Sequence, residues 1–572
     1  MRYLALATDY DGTLAHRGAV SAQTLEALQR LVDSGRKLVM VTGRTLEDLQ
    51  QVFAQVELFH RIVAENGAVL YDPKSKLETV LCEPASARLA DRLRQRGVQP
   101  LAVGRAIVAT WTPHEIAVLE TIKELELELH VIFNKGAVMV LPSSVNKATG
   151  LEAALAELEL SPHNVAGIGD AENDHAFLAM CECSAAVANA LEMVKQKVDF
   201  VTPAERGEGV CQWIEQMLED DLAVLEPRLK RHDILLGQRM DGDVREDVSV
   251  PNHGDAVLIS GPSQSGKSTV TMGLIERICE QEYQFCLIDP EGDYRSFAGA
   301  VSLGDATHPP GIDAVMQLLA DPTRSATVNL LSVPLADRPL FFGGLLARLL
   351  ELRLRRGRPH WLIVDEAHHL LPSSWVPASA AMPSELKGLV LITNCPDKIA
   401  APVLERVQTL VALGKEPMEV IHAFAAAART ALPFDRLGFD LEPGEAAIWL
   451  RSDAAPIRVR PTPGTVDRRR HTRKYAEGEL PPDRSFYFRG PRNKMKLRAY
   501  NLQLFAEMAE GVDDETWEHH RQSGDYSSWF RNYIKDEDLT REAEAVEAAE
   551  LPPEQSRALL LDAIHRRYGA TT

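Results

Sequence analysis

The sequence predicts two successive α/β domains followed by a mainly helical region. Three observations lead there. Short continuous apolar runs alternate with helical stretches through the first 460 residues, among them Lys37–Val41, Val165–Ile168, Ala256–Ile259, Phe285–Ile288, Trp361–Val364 and Gly388–Thr393. Runs of that length suit parallel strands buried on both faces, and their alternation with helices suits α/β layering. A phosphate-handling constellation stands near each end of this interval, so it divides in two. Beyond it the chain turns charged and aromatic and reads mostly as helix. The length, 572 residues, is also too great for a single hydrophobic core.

The expected boundaries follow. Residues 1–216 form the first domain, with an insertion at about 72–135 that carries strand and helix patterns of its own, as at 85–96 and 114–126. Residues 217–235 read as a charged helical connector and 236–465 as the second α/β domain. Residues 466–572 begin with the basic run Arg468, Arg469, Arg470, His471, Arg473, Lys474 and continue as a helical region. In it, Trp517, Tyr526, Trp529, Phe530 and Tyr533 are the expected small core, and the acidic stretch 536–550 an expected solvated helix.

Composition narrows the class. Hydrophobic residues at 45% and charged residues at 25% are ordinary for a globular chain, and no apolar run is long enough to span a bilayer. The N-terminal apolar stretch is too short for a secretory core and runs directly into carboxylates, so it reads as a first strand. Seven scattered cysteines support neither a disulfide framework nor a zinc site, and a cytoplasmic setting is expected. A net charge of −20 opposes a surface coated for nucleic acid, while leaving room for a local basic channel.

The first strand ends in Asp9-Tyr10-Asp11-Gly12-Thr13. Two carboxylates at that spacing, at a strand's C-terminal end, can divide the work of attacking phosphorus and of acid–base catalysis. The second strand ends in Val41-Thr42-Gly43-Arg44, whose hydroxyl can bond a phosphate oxygen. Lys147 stands just before a helix, where an ammonium can neutralise phosphate and nucleophile. A later strand ends in Gly169-Asp170-Ala171-Glu172-Asn173-Asp174, with the hard oxygen ligands that magnesium prefers.

In this order, over nearly all of residues 1–216, the motifs resemble those of the haloacid dehalogenase phosphatases, with the insertion similar to the α/β cap of the Cof and sugar-phosphatase branch. The resemblance implies a Rossmann-like core and an aspartyl-phosphate formed on Asp9, with Asp11 as acid and base. It implies phosphate contacts from Thr42, Gly43, Lys147 and Asn173. It also implies Mg2+ held by Asp9, Asp11 through its carbonyl and Asp170, with Asp174 either a further ligand or a partner of the ligands, and a compact phosphorylated metabolite as substrate. Glu65-Asn66-Gly67-Ala68 also matches the branch and is read as structural.

The second constellation is Gly261-Pro262-Ser263-Gln264-Ser265-Gly266-Lys267-Ser268-Thr269 between an apolar strand and a helix. Such a loop can cradle phosphates with its N–H groups, with Lys267 reaching the β and γ phosphates and Ser268 on Mg2+. The strand at 361–364 ends in Asp365-Glu366, suited to holding Mg2+ through water and to polarising an attacking water. Residues 236–460 resemble HerA/FtsK-like P-loop ATPases, on the stretches 287–294 and 364–369. The resemblance implies ATP as ligand, Asn394 beside the γ-phosphate and a homo-oligomer, commonly a hexamer that moves DNA. Arg353, Arg355, Arg356 and Arg406 are all open as the arginine that reaches across subunits. His368 and His369, adjacent on an expected helix, should point apart and not form a zinc site.

Two functions fit. The first is a Mg2+-dependent phosphomonoesterase fused to an ATP-binding and hydrolysing module. The alternative is an ATP-driven nucleic-acid translocase or defence-type assembly with an accessory phosphatase, for which the 468–474 run and the basic residues around Ser485–Arg498 would serve. A non-enzymatic scaffold is disfavoured by intact acids at both sites.

Overall fold

The computed structural model describes the chain except residues 85–86, 135, 241–244, 253, 255, 263–264, 296, 376–386, 465–479, 481, 483, 492–494, 535 and 569–572. It packs as two compact units: Met1–His232 with Asp321–Thr323 and Leu350–Arg358, and the remainder. Among the described residues, no helix is long and apolar enough to cross a membrane.

The first unit is built on an eight-stranded sheet. Its order is Phe200–Val201, Cys183–Ala186, Val165–Gly169, Ala5–Thr8, Lys37–Val41, Arg61–Ala64, Val69–Asp72, Leu77–Val80. The first six strands are parallel, and the last two form an antiparallel hairpin that extends the sheet. Ala5–Thr8 pairs with Val165–Gly169 on one side and Lys37–Val41 on the other, with Ala5 opposite both Val165 and Lys37. Three strands separated in sequence therefore end side by side. All four residues of the central strand are buried, as continuous apolar runs require when helices cover both faces. Ser21 caps the helix Ala22–Asp33 and Asn146 caps Lys147–Glu157, each side chain accepting from backbone N–H groups of the first turn.

The insertion carries a second, antiparallel sheet in the order Ala102–Val103, Val108–Trp111, Ala137–Pro142, Leu129–Asn134, with the helices Ala87–Gln95 and Glu115–Glu124. Leu89, Leu93, Val98, Val118, Val138 and Val140 form its own small core. It lies later than the expected 72–135. The hairpin up to Val80 hydrogen-bonds to the main sheet, and the last inserted strand runs to Pro142. The expected connector at 217–235 also differs. Met217, Leu222, Leu225 and Leu229 are buried in the first unit's core, so the segment is part of that unit until His232, and Ile234–Arg239 is already a strand. Its charges drew attention away from the apolar positions between them.

The second unit has an eleven-stranded sheet among the described residues. The parallel part runs Val407–Leu413, Ala256–Ser260, Leu389–Thr393, Trp361–Val364, Phe285–Asp289, Ala326–Asn329, Val301–Leu303. Ala446–Leu450, Ile457–Pro461, Ile234–Arg239 and Asp247–Val250 continue it in antiparallel fashion. The C-terminal residues add helices around a separate apolar cluster that includes Trp517, Tyr526, Trp529 and Phe530. Two expectations there change. Tyr533 is exposed, and the helix Glu537–Ala548 buries Leu539 and Ala543 on one face instead of being solvated all round. Phe486–Phe488 pairs with Leu497–Ala499, with Phe486 and Phe488 inward. The basic run at 468–474, Arg492 and Lys494 lie outside the described residues.

The helix Lys147–Glu157 presses closely on the main sheet at Gly150, where an added Cβ would stand 2.4 Å from Val63 Cγ1 and 2.5 Å from Gly67 Cα. Alanine raises helix propensity by about 1 kcal/mol over glycine, whereas overpacking against backbone costs about 1–3 kcal/mol. The clash prevails, so Gly150→Ala is expected to be destabilising. Thermal and urea unfolding of the full chain measure this directly; an unchanged or raised midpoint would contradict the packing.

Candidate active site

At the C-terminal end of the first unit's central strand lies a buried cluster of charge. Asp9 follows the strand and is 4% exposed, its N–H donating to Ile168 carbonyl at 3.1 Å. Lys147, 1% exposed at the capped start of its helix, donates from Nζ to Asp9 Oδ1 and to Asp174 Oδ1, both at 2.5 Å. Asp174 Oδ2 accepts from the N–H groups of Asp170 and Ala171 at 2.8 and 2.9 Å, which ties the loop Glu172–Asp174 back onto the end of Val165–Gly169. Thr13 Oγ1 lies 3.4 Å from Asp170 Oδ1.

The electrostatics follow from burial. Desolvation, and then the neighbouring Asp174, raise the Asp9 carboxyl well above the ordinary carboxylate range, against the pull of Lys147. Burial disfavours the Lys147 ammonium, but Asp174 and Asp9 outweigh it and raise its pKa. One oxygen each from Asp9, Asp170 and Asp174 lie within 4.8 Å of one another. A set of hard oxygens with more negative charge than one ammonium offsets fits a magnesium ion.

Asp11 sits two residues on, directly before Gly12, which takes φ +88°. Its carboxylate is gripped in both oxygens by Arg44, Nε to Oδ2 at 2.6 Å and Nη2 to Oδ1 at 2.8 Å, and Arg44 also reaches Asp48 at 2.5 Å. The sequence reading gave Arg44 no task, although it stands within the Thr42 motif. Thr42 is buried and its Oγ1 accepts from Arg44 N–H at 3.2 Å. Asn173 Nδ2 donates to Asn66 Oδ1 at 2.9 Å, and Asn66 Nδ2 stands 3.0 Å from Met139 Sδ of the inserted sheet. Asn66 also lies against Gly43, where a Cβ would be 3.2 Å from its amide. Beside it, buried Glu65 accepts from the N–H groups of Arg105, Ala106 and Ile107 at 2.8–3.1 Å. Glu65 and Asn66 thus fasten the inserted domain to the loops of the site, a connection no sequence spacing carries.

In the second unit, the strand Ala256–Ser260 leads to a loop in which Gly266 takes φ +96° and opens the helix Lys267–Glu280. Lys267 Nζ donates to the carbonyls of Gly261 and Pro262, each at 2.7 Å. Ser265 Oγ is buried without a partner among the described residues, Ser268 and Thr269 lie in the first helical turn, and Ser263 and Gln264 fall outside the described residues. Asp365 ends Trp361–Val364 and Glu366 follows with φ +43°. Burial, then Glu366 and the acids Asp293, Asp289 and Glu291, push the Asp365 carboxyl strongly upward. Leu389–Thr393 lies between the Ala256–Ser260 and Trp361–Val364 strands, and Asn394, just beyond it, has a buried Oδ1 without a hydrogen-bond partner among the described residues.

His368 and His369 do not diverge as expected. They lie in the 3-10 turn Ala367–His369, and their ring centroids are 4.0 Å apart. His368 Nδ1 lies 3.0 Å from Thr393 Oγ1 and 3.4 Å from Glu366 Oε2.

Comparison with known proteins bears on the first unit. The family model for haloacid dehalogenase-like hydrolases matches residues 6–104 and 107–214. Phosphoglycolate phosphatase of Methanothermobacter thermautotrophicus is 30% identical over 221 residues, 37% of this chain and 98% of that protein. The Methanopyrus kandleri phosphoglycolate phosphatase is 29% identical over 223 residues, 37% of this chain and 96% of its own. A solved haloacid dehalogenase-like hydrolase from Bacteroides thetaiotaomicron matches 38% of this chain and 99% of its own at 21% identity and a TM-score of 0.34. With the Methanothermobacter relative matched over nearly its whole length, the chain belongs, through its first unit, to the haloacid dehalogenase-like hydrolases.

Proposed function

We propose that the first unit is a phosphomonoesterase that works through a phosphoryl group carried on Asp9. The observation that carries this reading is the ammonium of Lys147 set between Asp9 and Asp174 at 2.5 Å each, in a buried site at the end of the central strand. An Asp9 oxygen attacks phosphorus and the bond to the leaving oxygen breaks, that oxygen taking a proton from Asp11. Asp11 then removes a proton from water, the water oxygen attacks phosphorus, and the Asp9–phosphorus bond breaks to release phosphate. To reach the leaving oxygen, Asp11 must exchange its two bonds to Arg44 for one to substrate. Thr42, Gly43 and Asn173 face the phosphoryl oxygens in this reading, and Lys147 neutralises charge on them and on Asp9. Asp9, Asp170, Asp174 and the Asp11 carbonyl would hold Mg2+, which supplies further neutralisation of the phosphoryl charge. The inserted domain, anchored by Glu65 and Met139, limits the space above the site and favours a small substrate. Phosphoglycolate is the first compound to test, since the named relatives are phosphatases of it.

A second reading concerns the other unit, as an ATP-binding and hydrolysing module of HerA/FtsK-like type. It is supported by the strand order that sets Thr393 and Asn394 between the Gly261–Lys267 loop and the Asp365–Glu366 pair. Lys267 and the loop N–H groups would take the phosphates, Ser268 and, through water, Asp365 would hold Mg2+, and Glu366 would polarise the attacking water. Whether the module moves nucleic acid in a homo-oligomer is decided by whether DNA stimulates it.

Two outcomes are expected. Asp9→Asn removes Mg2+-dependent phosphate release from phosphoglycolate or another small phosphomonoester by at least about 10^3-fold, the scale typical of a lost nucleophile; retained turnover would refute the assignment. In that Asp9→Asn chain, which cannot supply phosphate from the first site, ATP hydrolysis persists and is abolished by adding Lys267→Ala. Absence of ATP hydrolysis with and without DNA would reject the second reading.

A further inference from the structure

The Asp9 site occupies the C-terminal ends of the parallel strands. At their opposite ends stands another cluster of ligating side chains. His163 lies in the turn Pro162–Asn164 that precedes Val165–Gly169, and Glu182 immediately precedes Cys183–Ala186. His232 is the residue at which the first segment of the unit ends. One donor atom from each lies within 4.8 Å of the other two. His163 and Glu182 are buried, and the two imidazoles meet edge to face with centroids 5.6 Å apart.

The protonation pattern makes this cluster a set of Lewis bases. His232 makes a hydrogen bond with the Cys181 backbone, and its Nε2 is buried with no hydrogen-bond partner among the described residues, so Nδ1 makes that bond. A backbone carbonyl that fixes one imidazole nitrogen as the donor leaves the other with a bare lone pair, the usual preparation of a metal-binding histidine. Burial keeps His232 neutral. Glu182 divides its oxygens. Oε1 takes Arg2 at 3.0 Å, and Oε2 lies 2.6 Å from His163 Nδ1.

The surrounding charge permits a cation. Two guanidiniums border the cluster, but three carboxylates meet them: Arg2 faces Glu182 and Glu226, and Arg231 faces Asp199 at 2.8 Å. We propose that His163, Glu182 and His232 bind a divalent transition-metal ion of the zinc type. Two imidazoles and one carboxylate are a characteristic zinc donor set, whereas magnesium and calcium take oxygen ligands. Glu182 would bind the ion through Oε2 and keep Oε1 on Arg2, which orients it. The ion fastens the last residue of the segment to the starts of two core strands. This site is independent of the phosphatase reading.

The test uses the full chain, stripped with EDTA and reloaded with Zn2+ or Co2+. Zn2+ is expected to raise the melting temperature, and Co2+ to give the visible bands of a low-coordinate site with nitrogen ligands. His232→Gln loses both, with affinity down at least about tenfold. Asp170→Asn, and His368→Ala with His369→Ala, keep the bands, which separates this cluster from the other two groups of ligating residues. Identical metal uptake and spectra in wild type and His232→Gln would overturn the proposal, as would absence of bands in the wild type. Should His232→Gln fail to fold by circular dichroism, the chain carrying both histidine replacements at 368 and 369 decides: bands present support the site, bands absent overturn it.

Discussion

The ammonium of Lys147 is the element on which the first site depends, because three carboxylates are gathered there away from water. Burial and the neighbouring Asp174 both favour the protonated form of Asp9, and Lys147 opposes them. Lys147 bonds two of them, and Asp174 spends its other oxygen on two backbone N–H groups. Asp9 and Asp174 are thereby each held by a strong partner, which is the condition under which buried ion pairs persist. The helix Lys147–Glu157 must then be placed accurately, and its capping by Asn146 and close contact at Gly150 accomplish that.

Strand order does the rest. Asp9, Thr42 and Asp170 come from three strands far apart in the chain, yet these are the central strand and its two neighbours. Parallel pairing brings their C-terminal ends level, so one residue past each strand projects into the same space. The sheet's opposite ends gather His163 and Glu182 by the same alignment, with different donor chemistry.

Much of this was legible in the sequence, for a physical reason. Asp9, Thr42, Lys147 and Asp170 stand at strand or helix ends, and such ends show as breaks in short apolar runs. What stayed hidden depends on contacts between distant residues. Arg44 gripping Asp11, Glu65 accepting three backbone N–H groups from 105–107, and Asn66 joining Asn173 to Met139 have no local periodicity. The segment at 217–235 misled through its charges, because Met217, Leu222, Leu225 and Leu229 span a helix end and a 3-10 turn and show no single period.

The second unit poses the same electrostatic problem with a different arrangement. Asp365 is buried among Glu366, Asp293, Asp289 and Glu291, and its carboxyl is pushed upward by burial and by those acids. In the first unit a lysine enters the carboxylate cluster itself. In the second, Lys267 donates to the carbonyls of its own loop, at Gly261 and Pro262. Those carbonyl contacts are weaker partners for an ammonium than phosphate oxygens, so an anionic ligand over the loop would draw Lys267 away from them. A cation accompanying that ligand would favour the ionised form of Asp365. Protein partners also reach part of that acidic cluster, Arg484 pairing with Glu291 at 3.0 Å and His368 lying 3.4 Å from Glu366.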